Sequence, residues 1–211
     1  MLNFDPSLYL VTHRQNMSLE KFKDIIVKAL KGGVTTLQLR EKEISFDEFV
    51  SIGREVKELL SSYDVPLIIN DNPEVAKAIN ADGIHVGQSD LSIEHVRNIV
   101  GEKAIVGLSV ETMEQALLSK SLPVDYISIS PIFATPTKTN TKEPWGLEKT
   151  RDLRNKFSKT LVAIGGICED NIKEVMQTGI DGVCVVSAIF SAENPREAAI
   201  KLKQIIDHEK I

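Results

Sequence analysis

Two aspartates, Asp71 and Asp90, stand just after two successive apolar runs of the sequence, IIND and GIHVG. A helical stretch separates these runs, so they are predicted to be neighbouring parallel strands, about 4.8 Å apart, whose ends face the same way. Carboxylates placed there suit Mg²⁺, which proteins hold through one or two carboxylates while water and phosphate oxygens fill the other positions. The competing interpretation is that Asp71 caps the following helix and Asp90 begins a loop.

A second polar group ends the run TTLQLR. Gln38, Arg40 and Lys42 alternate along an extended segment and would therefore project to one side. An amide and two cations at one strand end predict a site for an anion. Alternatively, Arg40 or Lys42 pairs with a neighbouring glutamate on a solvated face, where an ion pair contributes little.

Later strand ends carry features that suit a phosphate. The run YISISPI leads into a long loop, 131–146, with Thr135, Thr137 and Lys138. A further run ends at Gly165-Gly166, where accessible backbone N–H groups could bind a phosphate or the glycines could simply form a tight turn. The last run ends at 186–188, VSA. A phosphate-carrying ligand is therefore predicted, and the loop is long enough to close over it.

Other reactive residue types have simpler interpretations. His85 lies within an apolar run and is predicted to be a hydrogen-bonded inner residue and not a catalyst. His13 follows the first run but has no evident acid–base partner. Trp145 is predicted to pack the base of the long loop. Cys168 and Cys184 fit no metal or disulfide spacing and are predicted to be packing residues.

Eight apolar or β-branched runs must position these groups, at 8–12, 35–40, 66–71, 83–87, 104–110, 126–132, 160–166 and 182–188. Amphipathic stretches lie between them, with helix starts predicted at Ser18, Ser45, Thr112 and Asn194. Eight such alternations in 211 residues predict a single α/β domain, 1–211, with the (β/α)₈ TIM-barrel fold. An open dinucleotide-binding sheet would have a glycine-rich turn after the first run, which THRQNMS lacks.

Composition narrows the class of protein. With 42% hydrophobic and 26% charged residues, the chain has the balance of a globular domain, and its net charge of −5 argues against nucleic acid as a partner. No apolar run is long enough for a membrane span, and the start of the chain does not resemble a signal peptide, so no membrane partner and a cytoplasmic location are expected. Whether the chain forms a homo-oligomer is left open.

Taken together and in order, these motifs resemble the thiamine-phosphate synthase family, from about Leu8 to about Ile189. The segments that carry the resemblance are QLREK, IINDN, ADGIHVGQSD, SPIFATPTKT, VAIGGI and VVSAI. The resemblance implies a (β/α)₈ transferase that joins 4-amino-2-methyl-5-hydroxymethylpyrimidine diphosphate to 4-methyl-5-(2-phosphoethyl)thiazole. The products are thiamine phosphate and pyrophosphate, and the cofactor is Mg²⁺.

The resemblance also assigns residues. Asp71 and Asp90 would bind the magnesium ion. The pyrimidine diphosphate would be held by Gln38, Leu39, Arg40, Glu41, Lys42, Asn70, Ser109 and Lys138, of which Arg40, Lys42, Ser109 and Lys138 would also be catalytic. The thiazole phosphate would be held by Thr135, Pro136, Thr137, Gly166, Val186 and Ser187.

One position departs from the family pattern. Glu111, in GLSVET, stands where many members carry a histidine, and a carboxylate near a diphosphate would repel it. Glu111 is therefore expected to point away or to pair with a cation. Two alternative functions are a thiazole tautomerase on the same barrel, which needs neither magnesium nor a diphosphate, and a non-catalytic barrel that binds phosphorylated ligands.

Overall fold

Eight parallel strands, consecutive in the chain, close into a barrel in which β8 pairs with β1. This is a computed structural model, and it describes residues 4–134 and 143–210. The closed barrel confirms the predicted fold class. The strands are β1 (Leu8–Val11), β2 (Thr36–Leu39), β3 (Leu67–Asn70), β4 (Gly83–Val86), β5 (Ile105–Val110), β6 (Tyr126–Ile129), β7 (Thr160–Ile164) and β8 (Gly182–Val185).

Helices connect the strands and cover the outside of the barrel. They are α1 (Leu19–Lys31), α2 (Phe46–Leu60), α3 (Pro73–Ala78), α4 (Ile93–Val100), α5 (Met113–Leu118), α6 (Gly146–Lys156), α7 (Ile172–Met176), α8 (Ser187–Phe190) and α9 (Pro195–Glu209). All four predicted helix starts are confirmed: Ser18, Ser45, Thr112 and Asn194 each accept a hydrogen bond from the N–H three residues ahead. Such caps satisfy N–H groups that the helix itself leaves open.

Alternation along each strand divides the buried residues into two cores. Leu8 and Leu10 of β1 pack with the helices in the outer core, whereas Tyr9 and Val11 pack in a smaller core inside the barrel. The inner core also contains Cys184, which is buried as predicted, and is completed by Phe4 near the start of the chain. Successive side chains of a strand point to opposite faces, so the division of β1 between the two cores follows from strand geometry alone.

A repeated side-chain contact joins the strands in pairs. Asp82, Asp125 and Asp181 immediately precede β4, β6 and β8, and each accepts the N–H of the residue that opens or nearly opens the preceding strand, at 2.7 to 2.9 Å. Thr35 does the same for Leu8 across β1 and β2, at 3.0 Å. This contact was not predicted from the sequence. Its signal is the recurrent Asp directly before an even-numbered strand.

Within the described residues, no helix is long and apolar enough to span a membrane.

Candidate active site

One cavity of about 450 Å³ opens where the strands end, and most of the predicted site residues line it. From the described part of the chain, the predicted residues at this cavity are Gln38, Arg40, Lys42, Asn70, Asp71, Asp90, Ser109, Gly166, Val186 and Ser187. They come from six different strands or the loops that follow them. The structure therefore brings together residues that lie up to 149 positions apart in the sequence.

Four predicted residues, Thr135, Pro136, Thr137 and Lys138, lie outside the described residues. Two others are described but lie away from the cavity lining.

Leu39 is fully buried in the core between the sheet and the helices. The carboxylate of Glu41 accepts two hydrogen bonds from Arg14 Nε at 3.1 Å and lines a separate cavity of about 530 Å³ beside the first. The hydrogen bond and the charge of Glu41 raise the pKa of Arg14 against the opposing effect of burial. The substrate-binding roles of Leu39 and Glu41 stay predictions.

The two aspartates meet at the mouth of the cavity. Asp71 has a positive φ of 62°, which is uncommon for a residue with a side chain. Its N–H donates to the carbonyl oxygen of His85 at 2.9 Å, which fixes this turn against β4. Backbone strain of this kind persists only where the surroundings determine it, and it occurs often at ligand sites.

The charged groups of Asp71, Asp90 and Lys42 lie close enough to affect one another. Partial burial raises the pKa of Asp90, and contact with the carboxyl group of Asp71 raises it further. The N–H of Gly87, which donates to Asp90 Oδ2 at 2.7 Å, and the charge of Lys42 oppose this rise. Lys42 Nζ lies 2.6 Å from Asp71 Oδ2. Two carboxylates that touch are a site where a cation relieves repulsion.

The basic side of the cavity is built on the second strand. Arg40 directly follows β2, and its N–H donates to Thr12 Oγ1 at 2.9 Å, which ties it to the end of β1. Arg40 and Lys42 both line the cavity, two residues apart, as the period of an extended segment predicts. The cavity therefore carries two cations on the same wall as the Asp71 carboxylate.

The opposite wall consists of backbone at the ends of β7 and β8. Gly165 and Gly166 have φ values of 108° and 67°, a region that residues with a Cβ rarely adopt. A Cβ on Gly166 would lie 2.9 Å from the Ala134 carbonyl oxygen. Helix α8 begins at Ser187, and the residue before it, Val186, has an apolar side chain that cannot cap the first N–H groups.

The structure also shows the contacts of the histidines and the tryptophan for which no catalytic role was predicted. His85 is buried, as predicted, with Nδ1 2.9 Å from the Tyr126 hydroxyl and Nε2 2.8 Å from Ser109 Oγ, but it also lines the cavity. His13 contacts Gln15 at the second cavity. Trp145 is 4% exposed, in agreement with its predicted packing role. Its indole nitrogen has no hydrogen-bond partner among the described residues.

Glu111 lines the cavity, and its N–H donates to Gln115 Oε1 at 2.8 Å. Within the described residues, no cluster of three or more histidine, cysteine or acidic side chains could hold a metal ion. Any cation site at the Asp71–Asp90 pair would therefore need further oxygen ligands from substrate or water.

Comparisons with known proteins place the chain among similar sequences and structures. A family model described as thiamine monophosphate synthase matches residues 8–189. The chain is 46% identical over 200 residues to a thiamine-phosphate synthase of Albidiferax ferrireducens, covering 95% of this chain and 91% of that protein. It is 49% identical over 195 residues to one of Desulfitobacterium hafniense, covering 92% and 94%.

A solved structure described as thiamine phosphate pyrophosphorylase from Pyrococcus furiosus superposes with a TM-score of 0.88 at 34% identity, covering 97% of both chains.

Proposed function

This chain belongs to the thiamine monophosphate synthase family, whose members are transferases, and we propose that it joins a pyrimidine diphosphate to a phosphorylated thiazole. The substrates of the proposed reaction are 4-amino-2-methyl-5-hydroxymethylpyrimidine diphosphate and 4-methyl-5-(2-phosphoethyl)thiazole. The products are thiamine phosphate and pyrophosphate. The reaction depends on Mg²⁺ and begins with departure of the diphosphate.

The observation that carries this proposal is the chemistry of one cavity with two unlike walls. One wall has the cations Arg40 and Lys42 beside the Asp71–Asp90 pair, and the other has glycine backbone and the start of α8. A diphosphate suits the first wall, because charged N–H donors and a cation can both meet its oxygens. A phosphate monoester suits the second, as in other barrels with phosphate sites after the seventh and eighth strands.

The residues at the cavity mouth fit a magnesium ion. Asp71 and Asp90 offer only oxygen ligands, and burial together with the neighbouring Asp71 carboxyl group raises the pKa of Asp90, which supports a cation at this point. These two residues would hold Mg²⁺, which when bound would neutralise charge on the diphosphate. Lys42 now neutralises part of the Asp71 charge, so it would be free to turn to the substrate when Asp71 binds the ion.

The mechanism needs orientation and charge rather than a nucleophilic side chain. When the diphosphate leaves, positive charge remains on the pyrimidinylmethyl carbon, and negative charge grows on the leaving oxygens. Arg40 and Lys42 stabilise those oxygens, which lowers the barrier. The attacking thiazole nitrogen carries no proton, so no general base is required. Holding both substrates in line contributes up to about 7 to 11 kcal/mol.

Two other proposals accompany this one. Lys138 and the threonines of the loop at 131–146 would add contacts and closure, although positions 135–142 lie outside the described residues. The protein is expected to act in the cytoplasm on small phosphorylated substrates. The tautomerase alternative is disfavoured because it leaves the joint presence of Asp71, Asp90 and two cations without a role.

The test incubates purified protein with both substrates and follows release of pyrophosphate, with and without a chelator. We expect release only when the thiazole phosphate and Mg²⁺ are both present. Asp71→Asn should depress the rate, whereas the matched control Asp152→Asn, an exposed carboxylate paired with Lys156, should not. Release that ignores the chelator, or equal rates for the two variants, would contradict the proposal.

A further inference from the structure

Five polar side chains form a continuous hydrogen-bonded chain across the inside of the barrel, beneath the cavity. Gln38 Nε2 lies 2.9 Å from the Tyr9 hydroxyl, which lies 2.8 Å from the Tyr126 hydroxyl. The Tyr126 hydroxyl lies 2.9 Å from His85 Nδ1, and His85 Nε2 lies 2.8 Å from Ser109 Oγ. We refer to these residues as the interior chain.

Both ends of the interior chain reach the cavity, but its middle does not. Gln38 and Ser109 line the cavity together with His85, whereas Tyr9 and Tyr126 are completely buried beneath it. Burial raises the pKa of both phenols well above the ordinary value, so each keeps its proton. A buried hydroxyl hydrogen must find an acceptor. Among the described residues, the two phenols hydrogen-bond to each other, Tyr9 also to Gln38, and Tyr126 also to His85.

The fold makes room for this arrangement at Gly107. A Cβ on Gly107 would lie well inside 3.0 Å of the Tyr126 ring and hydroxyl, a separation that real Cβ atoms essentially never show. Phe4 packs against the Tyr126 ring, with centroids 4.8 Å apart, and His85 stacks on that ring at 5.4 Å. Tyr126 is therefore held in the one position from which its hydroxyl reaches both Tyr9 and His85.

With His85 as a neutral imidazole, two orderings of the hydrogens satisfy the four contacts of the interior chain. In the first, the Gln38 amide N–H donates to Tyr9, Tyr9 to Tyr126, Tyr126 to His85 Nδ1, and His85 Nε2–H to Ser109. In the second, every donation is reversed and the Gln38 carboxamide is turned. The structure has Gln38 Nε2 on Tyr9, which leaves its oxygen for the cavity. The cations Arg40 and Lys42 line that cavity and favour an oxygen there.

We propose that the interior chain has the first ordering, and that Tyr9, Tyr126 and His85 are positioning residues that make Gln38 an acceptor and Ser109 a donor toward the substrate. His85 is then a neutral imidazole with its hydrogen on Nε2, and the Ser109 hydroxyl hydrogen is left for the cavity. The substrate role rests on the proposed function.

The direction of the hydrogen bonds determines which part of the substrate the interior chain can bind. A diphosphate offers only acceptors, so the Gln38 oxygen cannot bind it. An amino-substituted nitrogen heterocycle offers an N–H donor beside a ring-nitrogen acceptor, and it can use both ends of the interior chain. The chain therefore serves the pyrimidine ring and not the diphosphate.

The ordering is tested first in the protein without substrate, by NMR of ¹⁵N-labelled histidine. Comparison with His85→Gln assigns the His85 signals among the four histidines. We expect Nε2 to carry the hydrogen and Nδ1 to have the shift of a hydrogen-bonded acceptor. A hydrogen on Nδ1 would overturn the proposal, whether it is the only ring hydrogen (the reverse ordering) or accompanies one on Nε2 (an imidazolium). This result does not depend on the enzyme's activity, so it stands or falls separately from the proposed function.

The substrate role is tested by Tyr126→Phe, with Tyr63→Phe as a matched control, because Tyr63 lies after α2 and outside the interior chain. The variant removes both hydrogen bonds of the Tyr126 hydroxyl. If one neutral hydrogen bond to the substrate is lost as a result, the KM for the pyrimidine diphosphate should rise by about threefold to tenfold. The KM for the thiazole phosphate and the inhibition constant of inorganic pyrophosphate should not change.

Equal changes in all three constants would mean that the chain is only structural. A change confined to pyrophosphate would place the chain at the diphosphate. Either outcome would overturn the proposal. The thermal unfolding transition of each variant is measured in parallel, to check that both variants are folded.

Discussion

Replacing Gly107 by alanine should destabilise the barrel, although alanine would ordinarily be the more stabilising residue in this strand. Removing a glycine stabilises a compatible site by about 0.4 to 1 kcal/mol, because the unfolded chain has less freedom to lose. At Gly107 the new methyl would overlap the Tyr126 ring. Overpacking of this kind costs about 1 to 3 kcal/mol. Tyr126 is 0% exposed and enclosed by other rings, so the upper end of that range applies.

The net loss in free energy of unfolding should be about 2 kcal/mol, which lowers Tm by roughly 4 to 8 °C for a chain of this size. Denaturant unfolding followed by circular dichroism measures it. The control is a double-mutant cycle with Tyr126→Leu, which removes the ring. In that background Gly107→Ala should cost less than about 0.5 kcal/mol. An alanine variant that is as stable as the parent, or more stable, would refute the packing described here.

Four further predictions concern the cavity and the strand pairs. Asp71→Asn removes a negative neighbour, so the raised pKa of Asp90 should fall toward its ordinary value, which ¹³C NMR titration of the carboxyl groups checks. In the parent, protons compete with the metal for Asp90, so Mg²⁺ affinity should weaken as the pH falls through that raised pKa; an affinity independent of pH, measured by calorimetry, would contradict the site. Gly166→Ala should raise the KM for the thiazole phosphate, with the KM for the pyrimidine diphosphate unchanged, because the proposed function assigns only the thiazole phosphate to the wall where a Cβ on Gly166 would crowd the Ala134 carbonyl oxygen. Asp181→Asn weakens hydrogen bonds to Arg154 and to the N–H of Leu161 and should cost about 1 to 3 kcal/mol of stability without altering KM; a KM effect would show that the strand pairs and the cavity are coupled.

Local pattern was enough to predict the elements. The eight strands and the four capped helix starts follow from short-range rules, because strand alternation and helix caps depend on residues only a few positions apart. The predicted strands at 126–132 and 182–188 extend beyond the observed Tyr126–Ile129 and Gly182–Val185. The final residues of the first run belong to the loop after β6, and Ser187 and Ala188 of the second belong to α8. The pattern did not show this, because apolar and small side chains are compatible with a strand, a loop or a helix start.

The site was predicted in outline because barrel topology sends every strand end to one face. Asp71, Asp90, Arg40 and Lys42 could be placed together by that rule alone. The same rule says nothing about which way a neighbouring side chain turns, and Leu39 and Glu41 accordingly lie outside the cavity.

By itself, then, the sequence determined the order of the elements, the closed barrel and the chemical character of the strand ends, since each depends on periodicity and composition. Only the tertiary structure decided which polar groups touch. The interior chain joins residues 9, 38, 85, 109 and 126, and no local pattern relates positions so far apart. Their contact arises because closure of the barrel brings five strands around one axis, and among the described residues the two buried phenols, Tyr9 and Tyr126, find their side-chain hydrogen-bond partners within the chain.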